Sequence, residues 1–138
     1  MGHPGGEGGV VLGEVEELQV ELRREVVHRP VGRVHELGAE LAITYLNEKA
    51  KDFVEPLATA MQAPLFLPLD VSRPGELEAV FDRIAKDWGT LDILVHSIAW
   101  APKDDLQGGL LNCTAEGFAK SMDISCHSFV RMARLAAP

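Results

Sequence analysis

The sequence predicts an α/β fold in which a parallel sheet is covered by helices on both faces. Short apolar runs typical of buried strands recur along the chain, amphipathic helical patterns stand between them, and the two alternate from Glu36 onward. Strict alternation of strand and helix implies right-handed crossovers between parallel strands. The chain has 138 residues, so one small domain is the upper bound.

Three strands are predicted from runs rich in Leu, Ile, Val and aromatic residues. They are Leu41–Tyr45, Leu65–Val71 and Leu91–Val95. After the third run the chain changes abruptly to small and polar residues. Ligands of open α/β sheets bind beyond the carboxyl ends of the strands, so Ser97, Ile98 and Ala99 are the first candidates for a binding site.

Three helices are predicted between and after these strands. Asn47 is expected to cap the first, and Gly38 suits the end of a helix before the first strand. The second begins at Ser72 and ends at Gly89, and its apolar face is formed by Leu77, Val80, Phe81, Ile84, Ala85 and Trp88. Thr114 is expected to cap the last, whose mostly buried residues are predicted to be Phe118, Met122, Phe129, Met132 and Leu135.

Residues 1–31 differ in character from residues 32–138, and we predict a domain boundary between them. The segment Met1–Gly13 is Gly-rich and is predicted to be a flexible leader. The segment Glu14–Val27 has apolar residues at helical spacing among Glu and Arg, which favours a charged amphipathic helix. Pro30 ends that pattern.

Composition excludes several function classes. A net charge of −8 and a pI near 5.0, without clustered Lys and Arg, argue against nucleic acid as a partner. No apolar run is long enough to span a bilayer, so no membrane partner is expected. Cys113 and Cys126 stand in a chain without a signal-peptide pattern, and neither has a Cys or His at metal-ligand spacing. We therefore predict a cytoplasmic protein with structural thiols and no metal site.

Several segments together resemble a known family. They are Gly38–Tyr45, Val54–Leu57, Leu67–Val71, Leu91–Ala99, Ala101–Leu106 and Met122–Phe129. These segments resemble the NADH-dependent enoyl-acyl-carrier-protein reductases of bacterial fatty-acid synthesis, a divergent branch of the short-chain dehydrogenase/reductase superfamily. The resemblance implies a doubly wound, Rossmann-type parallel sheet, NADH as cofactor, reduction of 2-enoyl thioesters carried by acyl carrier protein, and a homotetramer.

The resemblance also implies roles for a few positions. Asp70 and Val71 would meet the adenine, while Ser97, Ile98 and Ala99 would pass under the two riboses of NADH. Tyr45 and Leu46 would lie near the adenosine ribose, although Leu46 offers no polar group where many members carry Gln. Structural alternatives stay open: Asp70 as the cap of the turn before Ser72, and the small residues Ser97 and Ala99 as sites of close helix packing.

Two further polar features receive structural interpretations. His96 is interpreted as a hydrogen-bonded residue at a strand end rather than a catalytic base, because the sequence places no carboxylate or nucleophile beside it. Asp104 and Asp105 are interpreted as a solvated loop, since a dipeptide in a loop does not establish facing carboxylates.

Two parts of such an enzyme are not identified in the sequence. The first strand and its Gly-rich turn are expected immediately before Gly32, and the glycines Gly2, Gly6 and Gly8 are interpreted as a chance match to that turn. We therefore expect a fragment of the fold that lacks its first strand and its C-terminal part. A shifted reading frame before Gly32 and fusion to an unrelated leader remain alternative origins. Without a first strand, the neighbouring strands would expose unpaired edges, which predicts poor solubility or a loosened fold.

The catalytic pair implied by the resemblance is a Tyr and a Lys seven residues apart. The single tyrosine, Tyr45, is followed seven residues later by Asp52, so no catalytic residue is assigned and the pair is expected beyond Pro138. We predict that the chain is inactive as it stands. The alternatives are a non-catalytic remnant or interaction module, and another short-chain dehydrogenase.

Overall fold

The computed structural model describes residues 9–12, 32–107 and 109–137, with the backbone alone described for residues 9–12. Four parallel strands form one sheet: β1 (Gly9–Leu12), β2 (Glu40–Tyr45), β3 (Leu65–Pro68) and β4 (Ile93–Val95). Their order across the sheet is β3-β2-β1-β4. The parallel α/β architecture expected from the alternation of elements is confirmed.

The expectation that the first strand is missing is wrong. Residues Gly9–Leu12 lie between β2 and β4, with Val10 opposite Leu41 on one side and opposite Ile93 on the other. The physical reason is that Gly-Val-Val-Leu contains two β-branched residues and one leucine, which suffices for a short strand even after a Gly-rich stretch. The predicted exposure of unpaired edges on β2 and β4 is therefore also wrong, because both strands pair with β1.

The described part of the leader thus belongs to the sheet rather than to a featureless segment. The predicted charged helix Glu14–Val27, the glycines Gly2, Gly6 and Gly8, and Pro30 all lie outside the described residues. The boundary proposed between residues 31 and 32 stays a prediction.

Helices follow the strands as predicted, with shifted ends. Residues 32–36 are helical, and Gly38 follows them with a φ of +92° that glycine adopts without strain. Helix α1 (Glu48–Ala60) begins after Asn47, whose Oδ1 accepts a hydrogen bond from the backbone N–H of Ala50 at 2.9 Å. Helix α2 (Glu76–Trp88) begins after the left-handed Gly75, later than the predicted start at Ser72.

The last part of the chain is helical but interrupted. A short helix α3 (Lys103–Leu106) and a 3₁₀ turn (Leu110–Asn112) precede helix α4 (Ala115–Met122). A π-helical turn (Asp123–His127) joins α4 directly to helix α5 (Ser128–Ala136). The predicted single last helix is therefore two α-helical segments with a π-helical turn between them. Within the described ranges, no helix combines the length and the apolar character needed to cross a membrane.

The core has two layers, one on each face of the sheet. Strand β2 contributes to both, because alternate residues point to opposite faces: Ala42 to one, Leu41 and Ile43 to the other. The layer of Ala42 contains Ile98, Ile124, Met132 and four of the six residues predicted for the apolar face of α2, which are Leu77, Val80, Phe81 and Ile84. Of the other two, Trp88 packs against this layer while half-buried, and Ala85 is exposed, contrary to the prediction. The layer of Leu41 contains Ala58 and Met61.

The predicted burial of the last helices is largely wrong. Met132 is fully buried, but Phe118, Met122, Phe129 and Leu135 are all exposed, with Phe118 at 59%. Helical periodicity identified an apolar stripe correctly, yet only the inner edge of that stripe meets the sheet. On the outer edge, Phe129 packs edge-on against the ring of His96 with the centroids 5.4 Å apart and stays half-exposed.

Candidate cofactor-binding cleft

An open cleft of about 200 Å³ lies beyond the carboxyl ends of the parallel strands. Its walls come from the segments that follow β2, β3 and β4 and from the helical segment above them. They comprise Leu46, Asp70, Val71, Ser72, Ile98, Ala99, Trp100, Lys120 and Ile124. Because β1 separates β2 from β4 in the sheet, the chain departs in opposite directions on either side of β1. Open α/β sheets bind their ligands at such a reversal of strand order.

Four of the five residues predicted to bind cofactor lie together in this cleft. Asp70 and Val71 reach it from the end of β3, and Ile98 and Ala99 reach it from the end of β4. These pairs are separated by 26 residues in the chain, so the fold alone brings them together. Ser97 is partly buried and is not among the residues that line the cleft.

Asp70 has the capping role that was left open as an alternative. Its Oδ1 accepts hydrogen bonds from the backbone N–H and the hydroxyl of Ser72 at 2.9 and 2.6 Å. Its Oδ2 lies 3.4 Å from Nε of Arg73, and its own backbone N–H donates to Glu76 at 2.7 Å. The carboxylate is therefore held in one orientation at the rim of the cleft, and its side chain is 21% exposed. Capping the turn and lining the cleft are compatible.

The rest of the cleft is largely apolar. Val71 and Ile98 are buried, whereas Ala99 is exposed and carries only a methyl group. Leu46 lies in the wall beyond β2, as the resemblance implies, and offers no hydrogen bond there. The arrangement suits a flat, mostly apolar ring that presents a hydrogen-bond donor to the Asp70 carboxylate.

Sequence reasoning missed Lys120 and Trp100. The Nζ atom of Lys120 lies 4.9 Å from the centroid of the Trp100 ring, within cation–π distance, and both residues line the cleft. A signal was present, since Lys120 and Ile124 are four residues apart and so share a helix face. The spacing does not show that this helix face lies over the ends of the strands, so it did not identify Lys120 as a cleft residue.

His96 is hydrogen-bonded, as predicted. Its Nε2 lies 2.7 Å from Oγ of Ser128, and that hydroxyl donates to the carbonyl of Ile124 at 2.6 Å. The hydroxyl proton is thereby used, so Nε2 of His96 is the donor in this contact. Burial lowers the pKa of His96 below its ordinary value of 6.5, against a smaller opposing effect of a backbone hydrogen bond.

Asp105 lies in the short helix α3, so its interpretation as part of a solvated loop is wrong. Its Oδ1 and Oδ2 accept hydrogen bonds from the backbone N–H and the hydroxyl of Thr114 at 3.0 and 3.2 Å. The Thr114 hydroxyl in turn caps α4 by accepting from the N–H of Gly117 at 3.0 Å. Asp104 is exposed, as expected of a solvated residue. Asp105 contributes because α3 turns its carboxylate toward the start of α4.

The two cysteine thiols are not joined in a disulfide. Cys113 and Cys126 are free and exposed. Among the residues that the structure describes, no three His, Cys, Asp or Glu side chains are grouped so that they could hold a metal ion.

Comparison with known proteins decides the family. A family model described as Enoyl-(Acyl carrier protein) reductase matches residues 30–138. The chain belongs to the enoyl-acyl-carrier-protein reductase family. Among curated members, the NADH-type reductase FabI of Haemophilus influenzae is 40% identical over 116 residues, and that of Salmonella typhimurium is 43% identical over 102 residues. These matches cover 83% and 73% of this chain but only 44% and 39% of the two relatives.

Solved structures of family members confirm the Rossmann-type fold. The chain superposes on the enoyl-acyl-carrier-protein reductase of Anaplasma phagocytophilum in complex with NAD with a TM-score of 0.78 at 36% identity. It superposes on FabI of Candidatus Liberibacter asiaticus with a TM-score of 0.79 at 30% identity. These superpositions cover 95% and 94% of this chain and 48% and 49% of those chains. The chain thus spans about half the length of its structural relatives.

Proposed function

We propose that these residues form the adenosine-binding part of an NADH-dependent enoyl-acyl-carrier-protein reductase, which reduces 2-enoyl thioesters in fatty-acid synthesis. The observation that carries the proposal is the convergence of Asp70 and Val71 with Ile98 and Ala99 in one cleft at the carboxyl ends of β3 and β4. The names of the curated relatives, which are NADH-type reductases, and the NAD complex of the Anaplasma relative support NADH as the ligand.

The residues of the cleft fit the adenosine end of NADH. Asp70 offers a fixed carboxylate to the exocyclic amine of adenine, while the buried Val71 and Ile98 offer apolar surface to the ring. Ala99 leaves room for close approach of the backbone to the ribose, and Ser97 lies at the start of the same segment. When bound, NADH supplies the hydride for the reduction.

The proton needed for the reduction is not supplied by Tyr45. This residue is buried on β2, and its ring packs against Phe66 with the centroids 4.6 Å apart. Asp52, not lysine, stands seven residues later. We therefore propose that these 138 residues bind and orient the cofactor, and that the Tyr–Lys pair of the family lies outside them.

The remaining properties of the family are proposed for the whole enzyme to which these residues correspond. The substrate is an enoyl group on acyl carrier protein, the assembly is a homotetramer, and the compartment is the cytoplasm. The relatives' names support the acyl-carrier-protein substrate.

Titration of the chain with NADH, followed by fluorescence anisotropy, tests the proposal. We expect saturable binding that 5′-AMP displaces, because the cleft is proposed to hold the adenosine half. Ala99→Leu fills the cleft and should weaken binding about tenfold or more. Ala119→Leu is the matched control, since Ala119 is exposed on α4 outside the cleft.

Two results would contradict the proposal. Equal loss of affinity in Ala99→Leu and Ala119→Leu would show that the cleft is not where NADH binds. Oxidation of NADH by this chain with a crotonyl thioester would refute the statement that the proton donor lies outside it.

A further inference from the structure

The segment between β4 and Trp100 is held at both ends by serine hydroxyls of one helical region. Ser125 lies within the π-helical turn, and Ser128 is the first residue of α5. Ser128 contacts His96, which precedes the segment Ser97–Ala99, and Ser125 contacts Trp100, which follows it. These contacts join residues 25 and 32 positions apart in the chain.

The contact of Ser125 is two-sided. Its Oγ accepts a hydrogen bond from the backbone N–H of Trp100 at 2.9 Å and donates one to the carbonyl of the same residue at 3.0 Å. One hydroxyl therefore satisfies both backbone groups of a residue that lies outside any strand or helix. This satisfaction fixes the peptide planes on both sides of Trp100, which is adjacent to Ala99 in the cleft wall.

The contact at the other end is buried. Ser128 is wholly inaccessible, and its hydroxyl links the Nε2 of His96 to the carbonyl of Ile124. Ser125 lies in the π-helical turn and Ser128 directly follows it, and residues three positions apart share one helix face, so both contacts come from one side of the helix. Insertions of this kind in helices are frequent at functional sites.

We propose that Ser125 is a positioning residue for the cofactor, and that Ser128 with His96 sets the opposite end of the same segment. This inference rests on the proposed function. Neither serine lines the cleft. Ser125 acts through the backbone of Trp100. By fixing Trp100, it holds the preceding residues Ile98 and Ala99 in the position where they contact the cofactor.

The test compares three variants of the chain by NADH titration well below their unfolding temperatures. Ser125→Ala removes both hydrogen bonds to Trp100 and should raise the Kd for NADH about tenfold. Ser125→Thr keeps the hydroxyl and should restore most of the affinity. Ser121→Ala is the matched control, because the Ser121 hydroxyl on the same helix donates only to the carbonyl of Gly117, at 2.7 Å.

Amide hydrogen exchange reports whether Ser125 holds the backbone of Trp100, and the NADH titration reports whether that contact positions the cofactor. Ser125→Ala should accelerate exchange at Ala99 and Trp100, while Ser121→Ala leaves those two amides at the wild-type rate. If Ser125→Ala does not fold, Ser125→Cys keeps nearly the same shape with a much weaker donor and replaces it in both measurements.

The outcomes separate the inference from the proposed function. If the wild-type chain binds NADH and Ser125→Ala binds it equally well, the positioning role is refuted while the proposed function stands. If the wild-type chain does not bind NADH, the proposed function fails and the positioning role fails with it, and exchange then tests only whether Ser125 holds Trp100. Faster exchange at Trp100 in Ser125→Ala would then support the holding role, and unchanged exchange would refute it.

Discussion

The start of helix α4 allows a sharp prediction about Gly117. A Cβ added at this position would collide with the Asp105 carboxylate and would lie 2.9 Å from Oγ1 of Thr114. Gly117→Ala should therefore displace Asp105 and break its two hydrogen bonds to Thr114. Each such bond contributes about 1 kcal/mol net, and alanine returns up to about 1 kcal/mol through helix propensity. The expected net loss of unfolding free energy is about 1–2 kcal/mol.

The same substitution should have a different effect once Asp105 is removed. Asp105→Ala alone should cost about 1–2 kcal/mol, because Thr114 loses the carboxylate that orients it. In that background the collision with the Asp105 carboxylate is absent, and the Thr114 hydroxyl, 2.9 Å from the added Cβ, needs to shift only slightly, so helix propensity dominates. The second substitution should then be neutral or stabilising by up to about 1 kcal/mol. The coupling energy expected for the pair is about 2 kcal/mol, because Gly117→Ala breaks the two hydrogen bonds only when Asp105 is present.

Urea denaturation of the wild type, both single variants and the double variant measures this coupling. Asp104→Ala is the control, since Asp104 is the exposed neighbour of Asp105. Additive effects of Gly117→Ala and Asp105→Ala would refute the contact. So would an equal cost of Asp104→Ala and Asp105→Ala.

Two further predictions concern His96 and β1. Burial lowers the pKa of His96 in the folded chain below 6.5. At pH values between this lowered pKa and about 6.5, the unfolded chain therefore binds more protons at this residue than the folded chain does. The free energy of unfolding should fall as the pH decreases through this range. His96→Gln should remove this fall in stability at low pH, whereas the control variant His127→Gln, at an exposed histidine, should keep it. If the melting temperatures of the two variants depend on pH in the same way, the prediction about His96 is wrong. Val11→Pro removes a backbone hydrogen-bond donor from the central strand β1 and should lower the free energy of unfolding by about 3 kcal/mol or more. Val11→Thr keeps the backbone N–H and should lower it much less. Equal denaturation midpoints for the two Val11 variants would refute the central position of β1.

Much of the fold follows from local patterns. Strand β2 was predicted to within one residue, because its run of apolar residues between Gly38 and Asn47 has a clear beginning and end. Four of the six residues predicted for the buried face of α2 are buried, while Trp88 is half-buried and Ala85 is exposed near the end of the helix. Strand β1 was missed because a run of four residues beside many glycines carries little signal until two neighbouring strands are seen to need a partner.

The cleft was predictable only in part. Asp70 and Ala99 were identified because strand ends and a family resemblance point to them, and these features lie in short stretches of sequence. Lys120 and Ser125 contact Trp100 although they follow it by 20 and 25 residues in the chain. No local sequence pattern indicates such contacts. The exposure of Phe118 follows from tertiary packing as well, because periodicity shows an apolar face without showing what covers it.

Mapping of the 5′-AMP site by backbone amide chemical shifts tests the central claim most directly. We expect saturable shifts concentrated at Asp70–Ser72 and Ile98–Trp100, the two segments that converge in the cleft. Residues of α1, on the opposite layer of the core, should remain unchanged. Shifts spread evenly over the chain, or confined to residues away from those two segments, would contradict an adenosine-binding cleft at the carboxyl ends of β3 and β4.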